Sequence, residues 1–328
     1  MSKLLNVSSS PHIRDQVSTT TLMGDVLIAL FPASAWGVYK FGWNAFFIIL
    51  ACVLTSVLTE YVYEKLMKKP ITIHDLSAFV TGLLLALNLS PRLPIWIAVL
   101  GSIFAILVVK MLYGGIGQNF MNPALAARCF LLISFGKQMS EWGTSTDAIT
   151  GATPLQLLKD GGLAGNAADI LSTNKISLWD MFVGNKFGCI GEVSVLMILI
   201  GAAYLLIRRV ISWRIPVMYI GSFVIFMGLF GGHGFDLTYL AAEVCGGGLL
   251  IGAFFMATDY TTSPITFRGK IYYGIVLGLV TAIFRRFAGS AEGVSYAIIF
   301  CNLLVPLIEK ISLPTAFGRK GAAKNVGK

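Results

Sequence analysis

Long apolar runs follow one another along most of the chain, and charged or turn-forming residues separate them. A helix needs about 20 apolar residues to cross a bilayer, so the runs predict about ten crossings. Their approximate bounds are 22–39, 43–62, 76–89, 94–112, 122–135, 190–207, 215–230, 239–257, 271–284 and 293–308. The predicted fold class is all-α, a polytopic membrane protein of about ten transmembrane helices.

Two of these runs, 76–89 and 122–135, are too short to span a bilayer alone. Each lies beside a stretch rich in Gly, Pro and Asn, whose backbone groups cannot stay exposed to lipid. Broken half-helices that line an internal cavity account for both features.

A short internal repeat relates the two halves of the chain. Ala86–Pro91 (ALNLSP) follows the third predicted helix, Ala257–Pro264 (ATDYTTSP) follows the eighth, and their prolines stand 173 residues apart. An odd number of crossings between equivalent elements gives them opposite orientations. We therefore predict an inverted repeat of two five-helix halves, with the polar breaks meeting inside the protein.

Composition supports a membrane protein and excludes several other classes. The chain is 56% hydrophobic and 12% charged, with a mean hydropathy of +0.77, whereas soluble domains carry about 25% charged residues. The five cysteines include no C-x-x-C pair, which favours small apolar residues in helices over a zinc site, an iron–sulfur cluster or a disulfide framework.

The distribution of basic residues indicates the orientation. Residues 1–21 are polar and do not resemble a secretory signal. If the N-terminus is cytoplasmic, most of the 25 Lys and Arg residues fall on the cytoplasmic side, as the positive-inside rule requires. We expect both termini in the cytoplasm of a prokaryote. Arg285 and Arg286, which would lie on the outer side, are the main exception to the positive-inside rule.

These boundaries predict five regions along the chain. They are a cytoplasmic N-terminal segment (1–21), a first transmembrane half (22–135), an extracytoplasmic loop (136–189), a second transmembrane half (190–309) and a basic cytoplasmic tail (310–328). A loop of this length without a spanning segment is usually functional or a linker.

The loop contains Thr150–Leu155 (TGATPL), followed by a short amphipathic stretch that predicts a helix. Thr153 directly before Pro154 is typical of an N-cap, which is the simpler interpretation. A hydroxyl at this position is also well placed for a phosphate, because the following backbone N–H groups and the helix dipole favour an anion.

Four segments carry a resemblance to a known family of membrane proteins. TGATPL resembles the flavinylation motif shared by the D subunit of the Rnf complex and the B subunit of the Na+-translocating NADH:quinone oxidoreductase. Similar stretches are Ser9–His12 (SSPH), Tyr113–Leu125 (YGGIGQNFMNPAL) and Met256–Pro264 (MATDYTTSP). The resemblance covers nearly the whole chain, and the short region before the first helix favours the Rnf branch.

The resemblance implies a membrane electron-transfer component of an ion-translocating ferredoxin:NAD+ oxidoreductase, an enzyme complex. FMN would be joined to Thr153 by a phosphoester, with Gly151 and Ala152 beside it, and not to Thr150. Implied partners are a second FMN-bearing extracytoplasmic subunit, iron–sulfur and flavin subunits that handle ferredoxin and NAD, and a flavin transferase during maturation. The coupled ion, Na+ or H+, stays open.

A second cofactor position is predicted at the glycine-rich stretch before the fifth helix. Its glycines permit close approach of a planar ring, and Asn119 and Asn122 suit the polar edge of an isoalloxazine. Capping of the helix by Asn122 is the equally weighted alternative. The family implies a non-covalent riboflavin near such a region, and Arg128 is the expected partner of a flavin group or of a nearby acid.

Intramembrane carboxylates are the candidates for an ion path, because a buried charge is costly and usually functional. They are Asp25, Glu243 and Asp259, although Asp25 also suits a first-turn acid. Glu60 and Glu309 adjoin lysines at predicted helix ends, so we expect both at the membrane interface. No metal site is expected.

A secondary transporter or channel with the same inverted-repeat fold and no covalent flavin is the alternative function. In that case the outer loop would be a lid and Thr153 only a helix cap. The TGATPL element separates the two hypotheses, because a permease has no use for a threonine placed for flavin attachment.

Overall fold

The computed structural model describes residues 17–142, 153–160, 173, 176–288 and 293–314, and every regular element among them is helical. The first half contains α1 (Thr19–Phe41), α2 (Trp43–Leu66), α3 (Ser77–Leu87), α4 (Ile95–Ile103, continuing as a π-helix over Phe104–Met111) and α5 (Pro123–Ser134). Three short helices follow, namely α6 (Gly136–Met139), α7 (Pro154–Asp160) and α8 (Leu178–Val183). The second half contains α9 (Val195–Ile207), α10 (Arg214–Phe230), α11 (Leu237–Cys245), α12 (Leu249–Ile251, continuing as a π-helix over Gly252–Met256), α13 (Phe267–Phe287) and α14 (Val294–Ser312).

The all-helical, polytopic fold class is confirmed. Helices α1, α2, α13 and α14 are each long and apolar enough to cross a bilayer, and the bent pair α11 and α12 can form a fifth span. Shorter apolar helices occupy the remaining predicted crossings, and the predicted helix after Pro154 is present as α7. The long helices carry exposed apolar side chains such as Phe31, Leu54 and Leu307, as expected for surfaces that face lipid.

The third helix is a half-helix, as its length predicts. Helix α3 has only 11 residues, nearly all of them buried. Its C-terminal carbonyls are satisfied by a non-helical segment, because Ile190 N–H donates to Leu89 O (3.1 Å) and Gly191 N–H donates to Leu87 O (2.8 Å). This segment also corrects one predicted bound, since the sixth span begins at Val195 and not at 190.

The eighth span is broken as well, which the apolar run did not reveal. Helices α11 and α12 meet at an angle of 62° across Gly246–Gly248. Gly248 begins α12 in the left-handed region (φ 65°), and Leu76 begins α3 in the same conformation (φ 62°). The two half-helices thus start alike at equivalent positions of the two halves, which fits the predicted inverted repeat.

Glycines let the helices approach closely where the halves join. A Cβ at Gly201 of α9 would overlap the backbone oxygen of Ala29 in α1 and lie 3.1 Å from Phe255. Gly221 of α10, by contrast, has open space around the equivalent position. Contact between α1 and α9 therefore depends on the absence of a side chain at residue 201.

Gly201→Ala should destabilise the protein by about 1–3 kcal/mol, because the added methyl group forces the backbones of α1 and α9 apart. Gly221→Ala is the matched control and should be neutral or stabilising by up to about 1 kcal/mol, since alanine is the better helix former. Thermal unfolding in detergent measures both. Equal midpoints for the two variants would contradict the predicted contact.

Candidate functional site

The polar breaks of the two halves meet inside the protein, as the repeat predicts. The side chain of Asn122 caps α5, accepting from the N–H groups of Ala124 (3.0 Å) and Leu125 (3.4 Å). Its amide donates to Met256 O at the end of α12 (3.4 Å), and the Asn88 amide lies 3.7 Å from Met256 Sδ. The ends of α3, α5 and α12 therefore converge at one junction.

Arg128 lies in this junction and is 3% exposed. Its guanidinium donates to Asn88 Oδ1 (3.0 Å), to Ser295 Oγ (3.0 Å) and to Cys189 Sγ (3.3 Å). These bonds connect α5 with the end of α3, the start of α14 and the segment before α9. They give Arg128 a structural role, and its contact with a flavin stays a prediction.

A cleft opens beside the junction between the two halves. It has a volume of about 90 Å³, several times the minimum of about 10–15 Å³ for one water molecule. Its polar lining includes Lys110, Asn119, Asn122 and Asp259, while most of its remaining walls are apolar. The structure thus brings both predicted asparagines and one predicted acid to a single cavity.

Hydroxyl groups organise the polar side of the cleft. Asp259 accepts hydrogen bonds from Thr261 (2.9 Å) and Thr262 (3.1 Å). The Asn119 amide donates to Thr261 Oγ (3.1 Å) and to Met121 O (3.1 Å). The glycine-rich segment before α5 is therefore tied to the segment that follows α12.

Glu60 is buried among the helices with a cation as its partner, and its expected place at the membrane interface stays a prediction. It is 1% exposed, and both of its carboxylate oxygens accept from Lys110 Nζ at 2.8 Å. Lys110 also donates to Ser77 Oγ, the first residue of α3 (2.6 Å). The lysines that follow Glu60 in sequence suggested an exposed site, whereas its partner comes from α4. Glu309 is half-buried and accepts from Ile265 N–H (3.0 Å), and its expected place at the membrane interface also stays a prediction.

A second buried ion pair occupies the break of the eighth span. Arg285 Nη1 donates to Glu243 Oε2 (2.8 Å), and Arg285 Nη2 donates to the carbonyls of Gly246 (2.9 Å) and Gly247 (3.3 Å). Arg285 is only 3% exposed. It therefore lies among the helices and not in a loop, while the side of the membrane on which it stands stays a prediction.

The predicted ion-path acids do not form one cluster. Asp25 accepts from Tyr204 (2.7 Å) and pairs with Arg208 (3.3 Å), so it is not a first-turn acid but a partner of α9. Glu243 pairs with Arg285, and Asp259 lines the cleft. Within the described ranges, no group of three His, Cys, Asp or Glu side chains is arranged to hold a metal ion.

Thr153 begins α7 and caps it, since its hydroxyl accepts from Gln156 N–H (3.3 Å). The side chain is 6% exposed. Helix α7 packs directly over the break, where a Cβ at Gly246 would lie 3.5 Å from Leu155. Thr150, Gly151 and Ala152 lie outside the described residues.

The sequence reasoning missed three features of this region: the break itself, the pairing of Glu60 with Lys110, and the buried pair Lys186 and Glu192. The triple glycine at 246–248 inside an apolar run was the available signal for the break. Glu60 and Lys110 are 50 residues apart, so the sequence carries no local signal for their pairing. Lys186 and Glu192 lie in one segment, but their burial depends on the packing of that segment against Cys245.

Comparison with known proteins gives one consistent result. The model of the NQR2, RnfD, RnfE family matches residues 6–318. The chain is 48% identical over 318 residues to the D subunit of the Na(+)-translocating ferredoxin:NAD(+) oxidoreductase complex of Acetobacterium woodii, covering 96% of this chain and 95% of that relative.

Two further relatives show the same coverage. The chain is 39% identical over 322 residues to the D subunit of the proton-translocating ferredoxin:NAD(+) oxidoreductase complex of Clostridium ljungdahlii, covering 97% of each chain. It is 36% identical over 352 residues to the D subunit of the ion-translocating oxidoreductase complex of Aliivibrio salmonicida, covering 96% of this chain and 98% of the relative.

Arg285→Gln should destabilise the protein by about 3–5 kcal/mol, because it leaves the buried Glu243 carboxylate without its cation. Arg286→Gln, the neighbouring control, should change stability by no more than about 0.5 kcal/mol. The double variant Arg285→Gln/Glu243→Gln should recover part of the loss, since no buried charge is then unpaired. Thermal unfolding in detergent measures all three, and similar losses for the two single variants would contradict the assignment.

Proposed function

The chain belongs to the NQR2, RnfD, RnfE family, and on that premise we propose that it acts as the D subunit of a membrane-bound, ion-translocating ferredoxin:NAD+ oxidoreductase complex. The observation that carries the proposal is near-complete coverage by relatives of that name, with 48% identity to one of them. The apolar helices suit a multi-pass protein in a bacterial cell membrane.

FMN joined to Thr153 by a phosphoester is the proposed redox group. When bound, it supplies one-electron transfer between partners, while the protein sets its position and electrostatic surroundings. The support is the TGATPL motif together with the position of Thr153 at the first turn of α7, where backbone N–H groups favour a phosphate. Gly151 and Ala152 complete the proposed attachment site.

The burial of Thr153 restricts when it can be modified. Its hydroxyl is 6% exposed while α7 rests on the break of the eighth span. A transferase needs access to that oxygen. Attachment therefore has to precede the docking of α7 or accompany its temporary release.

The cleft is the proposed position of a second, non-covalent flavin such as riboflavin. It has to widen for this ligand, because its volume of about 90 Å³ is below the range of about 300–1,000 Å³ for small-molecule pockets. Gly115 and Gly117 have positive φ angles (99° and 86°), and a Cβ at either position would meet nothing within 4 Å. They flank Ile116, which lines the cleft, so there is open space for a planar ring that extends from the cleft past Ile116. Asn119 and Asn122 present amide groups at the lining, and Asn122 serves as helix cap at the same time.

Partner subunits have to supply the remaining redox chemistry. Cys52, Cys129, Cys189 and Cys301 are buried within the helices, and Cys245 is half-buried. Such cysteines behave as apolar residues. Iron–sulfur and NAD chemistry is accordingly assigned to the other Rnf subunits, and a second FMN-bearing extracytoplasmic subunit is among the proposed partners. The proposal also includes a cytoplasmic position for both the N- and the C-terminus.

A secondary transporter remains the competing function, because broken helices around a central cleft also suit alternating access. The test is in-gel flavin fluorescence of the denatured chain, expressed with its flavin transferase. The unmutated chain and Thr150→Ala should fluoresce, and Thr153→Ala should lose the signal, because only residue 153 supplies the ester oxygen. Intact mass should show one FMN phosphoester.

Thr150→Ala is the matched control, since it removes a hydroxyl from the same motif. An unmutated chain without covalent flavin under these conditions would contradict the redox function and favour the transporter. Loss of fluorescence in Thr150→Ala alone would contradict the assignment to Thr153.

A further inference from the structure

The segment before α9 places a second charged pair against the break of the eighth span. Lys186 is 3% exposed, and its ammonium donates to the carbonyl oxygen of Cys245, the last residue of α11. It lies 3.8 Å from Glu192 Oε1. Burial lowers the pKa of Lys186, although the Glu192 carboxylate opposes this effect.

Glu192 is the unusual member of this pair. The residue is 5% exposed, and its Oε2 has no hydrogen-bond partner among the described residues. Leaving a buried carboxylate oxygen unpaired is costly, so such an atom calls for an explanation. It is not explained by the distant Lys186 contact, which involves the other oxygen and exceeds hydrogen-bond length.

The unpaired oxygen faces two glycines. A Cβ at Gly248 would lie 3.8 Å from Glu192 Oε2, and a Cβ at Gly188 would lie 3.7 and 3.8 Å from its two oxygens. These distances are ordinary van der Waals contacts, so the two glycines lie directly beside the carboxylate. Neither glycine has a side chain that could bind the unpaired oxygen at the start of α12.

The surrounding backbone is rich in carbonyl groups that attract positive charge. The carbonyls of Gly246 and Gly247 accept from Arg285, and that of Cys245 accepts from Lys186. The C-terminal end of an interrupted helix, with a carboxylate nearby, is the arrangement with which membrane proteins bind small cations. Arg285 is neutralised by Glu243, so Lys186 is the cation that balances Glu192.

We propose that the Glu192 carboxylate and the Cys245 carbonyl form a binding site for a small monovalent cation, and that the Lys186 ammonium occupies this site in the described state. The inference rests on the proposed function, because it assigns the site to the ion that the complex translocates. A sodium ion enters by displacing the ammonium from these oxygens. A proton enters by neutralising Glu192, after which Lys186 has no counterion.

The site lies beneath the helix that carries Thr153. Leu155 of α7 contacts Gly247, and Gly247 in turn lies beside Arg285 and its ion pair with Glu243. Only these few groups separate α7 from the cation site. A change of charge on a flavin at Thr153 would therefore alter the electrostatic potential at that site. The groups around Lys186, besides Glu192, include Arg285 and the thiols of Cys189 and Cys245. Glu243 is the ion-pair partner of that Arg285.

The experiment compares Lys186→Met with the double variant Glu192→Gln/Lys186→Met in the whole complex, reconstituted in liposomes. The double variant leaves no unpaired buried charge, whereas Lys186→Met leaves the Glu192 carboxylate without its cation. Thermal unfolding of each variant, with and without Na+, therefore checks that it folds. The measurements are 22Na+ uptake and the dependence of ferredoxin:NAD+ electron transfer on Na+ at fixed pH, and on pH at fixed Na+. Asp160→Asn, an exposed carboxylate on α7, is the control.

Lys186→Met should lower the half-saturating Na+ concentration, because it removes the competing ammonium and keeps the carboxylate. The half-saturating Na+ concentration of the double variant should be about tenfold or more higher than that of Lys186→Met, because the double variant has lost the charged ligand Glu192. If the transported ion is a proton, the same two variants should differ in the pH profile and not in Na+ dependence. Either result supports the site.

The proposal is overturned if Lys186→Met and the double variant match the unmutated complex in Na+ dependence and pH profile, or if both shift in the same direction by the same factor. In-gel flavin fluorescence of each variant separates this failure from that of the proposed function. A fluorescent, electron-transferring complex with unchanged ion dependence contradicts only the cation site, whereas a chain without flavin contradicts the redox role.

Discussion

The free ends of interrupted helices impose the constraint on which the rest of this structure depends. Inside a bilayer, a backbone carbonyl or N–H group without a partner costs several kcal/mol, so a helix can stop there only where other groups satisfy its end. Three kinds of group do so here. Asn122 caps α5 locally, the backbone of residues 190–191 meets the end of α3, and the distant side chains of Arg285 and Lys186 bind the carbonyls that end α11.

The two halves solve this problem in related ways. Lys110 at the end of α4 lies by the start of α3, and Arg285 near the end of α13 lies by the start of α12. Each cation has one buried glutamate as its partner, Glu60 or Glu243. A buried ion pair contributes little net stability, but loss of one partner is strongly destabilising because the other charge stays buried and unpaired. Any arrangement that separates the partners is therefore unfavourable, and the pairs hold the breaks in one arrangement.

The same constraint links the proposed redox position to the proposed ion path. Helix α7, which begins at Thr153, rests on the glycines of the break through Leu155. Arg285, which binds the carbonyls of the break, therefore lies close to Leu155 of α7. Charges in such a low-dielectric setting interact more strongly than in water. The proposed coupling requires such an interaction between an electron on the flavin and a cation at the break.

The sequence by itself determined the class of fold, the number and approximate place of the apolar helices, the two short half-helices and the motif at Thr153, because hydropathy, helix length and capping are local properties. It also indicated that the breaks would meet. Only the tertiary structure decided that Glu60 is buried against Lys110, that Arg285 belongs to the interior, that Thr153 is covered, and that Glu192 faces Lys186 at the break. The first two outcomes depend on which side chains from distant segments meet. Lys186 and Glu192 belong to one segment, but they are buried because that segment packs against the end of α11. The free energy of a buried charge is set by the groups that surround it in the fold and not by its neighbours in sequence.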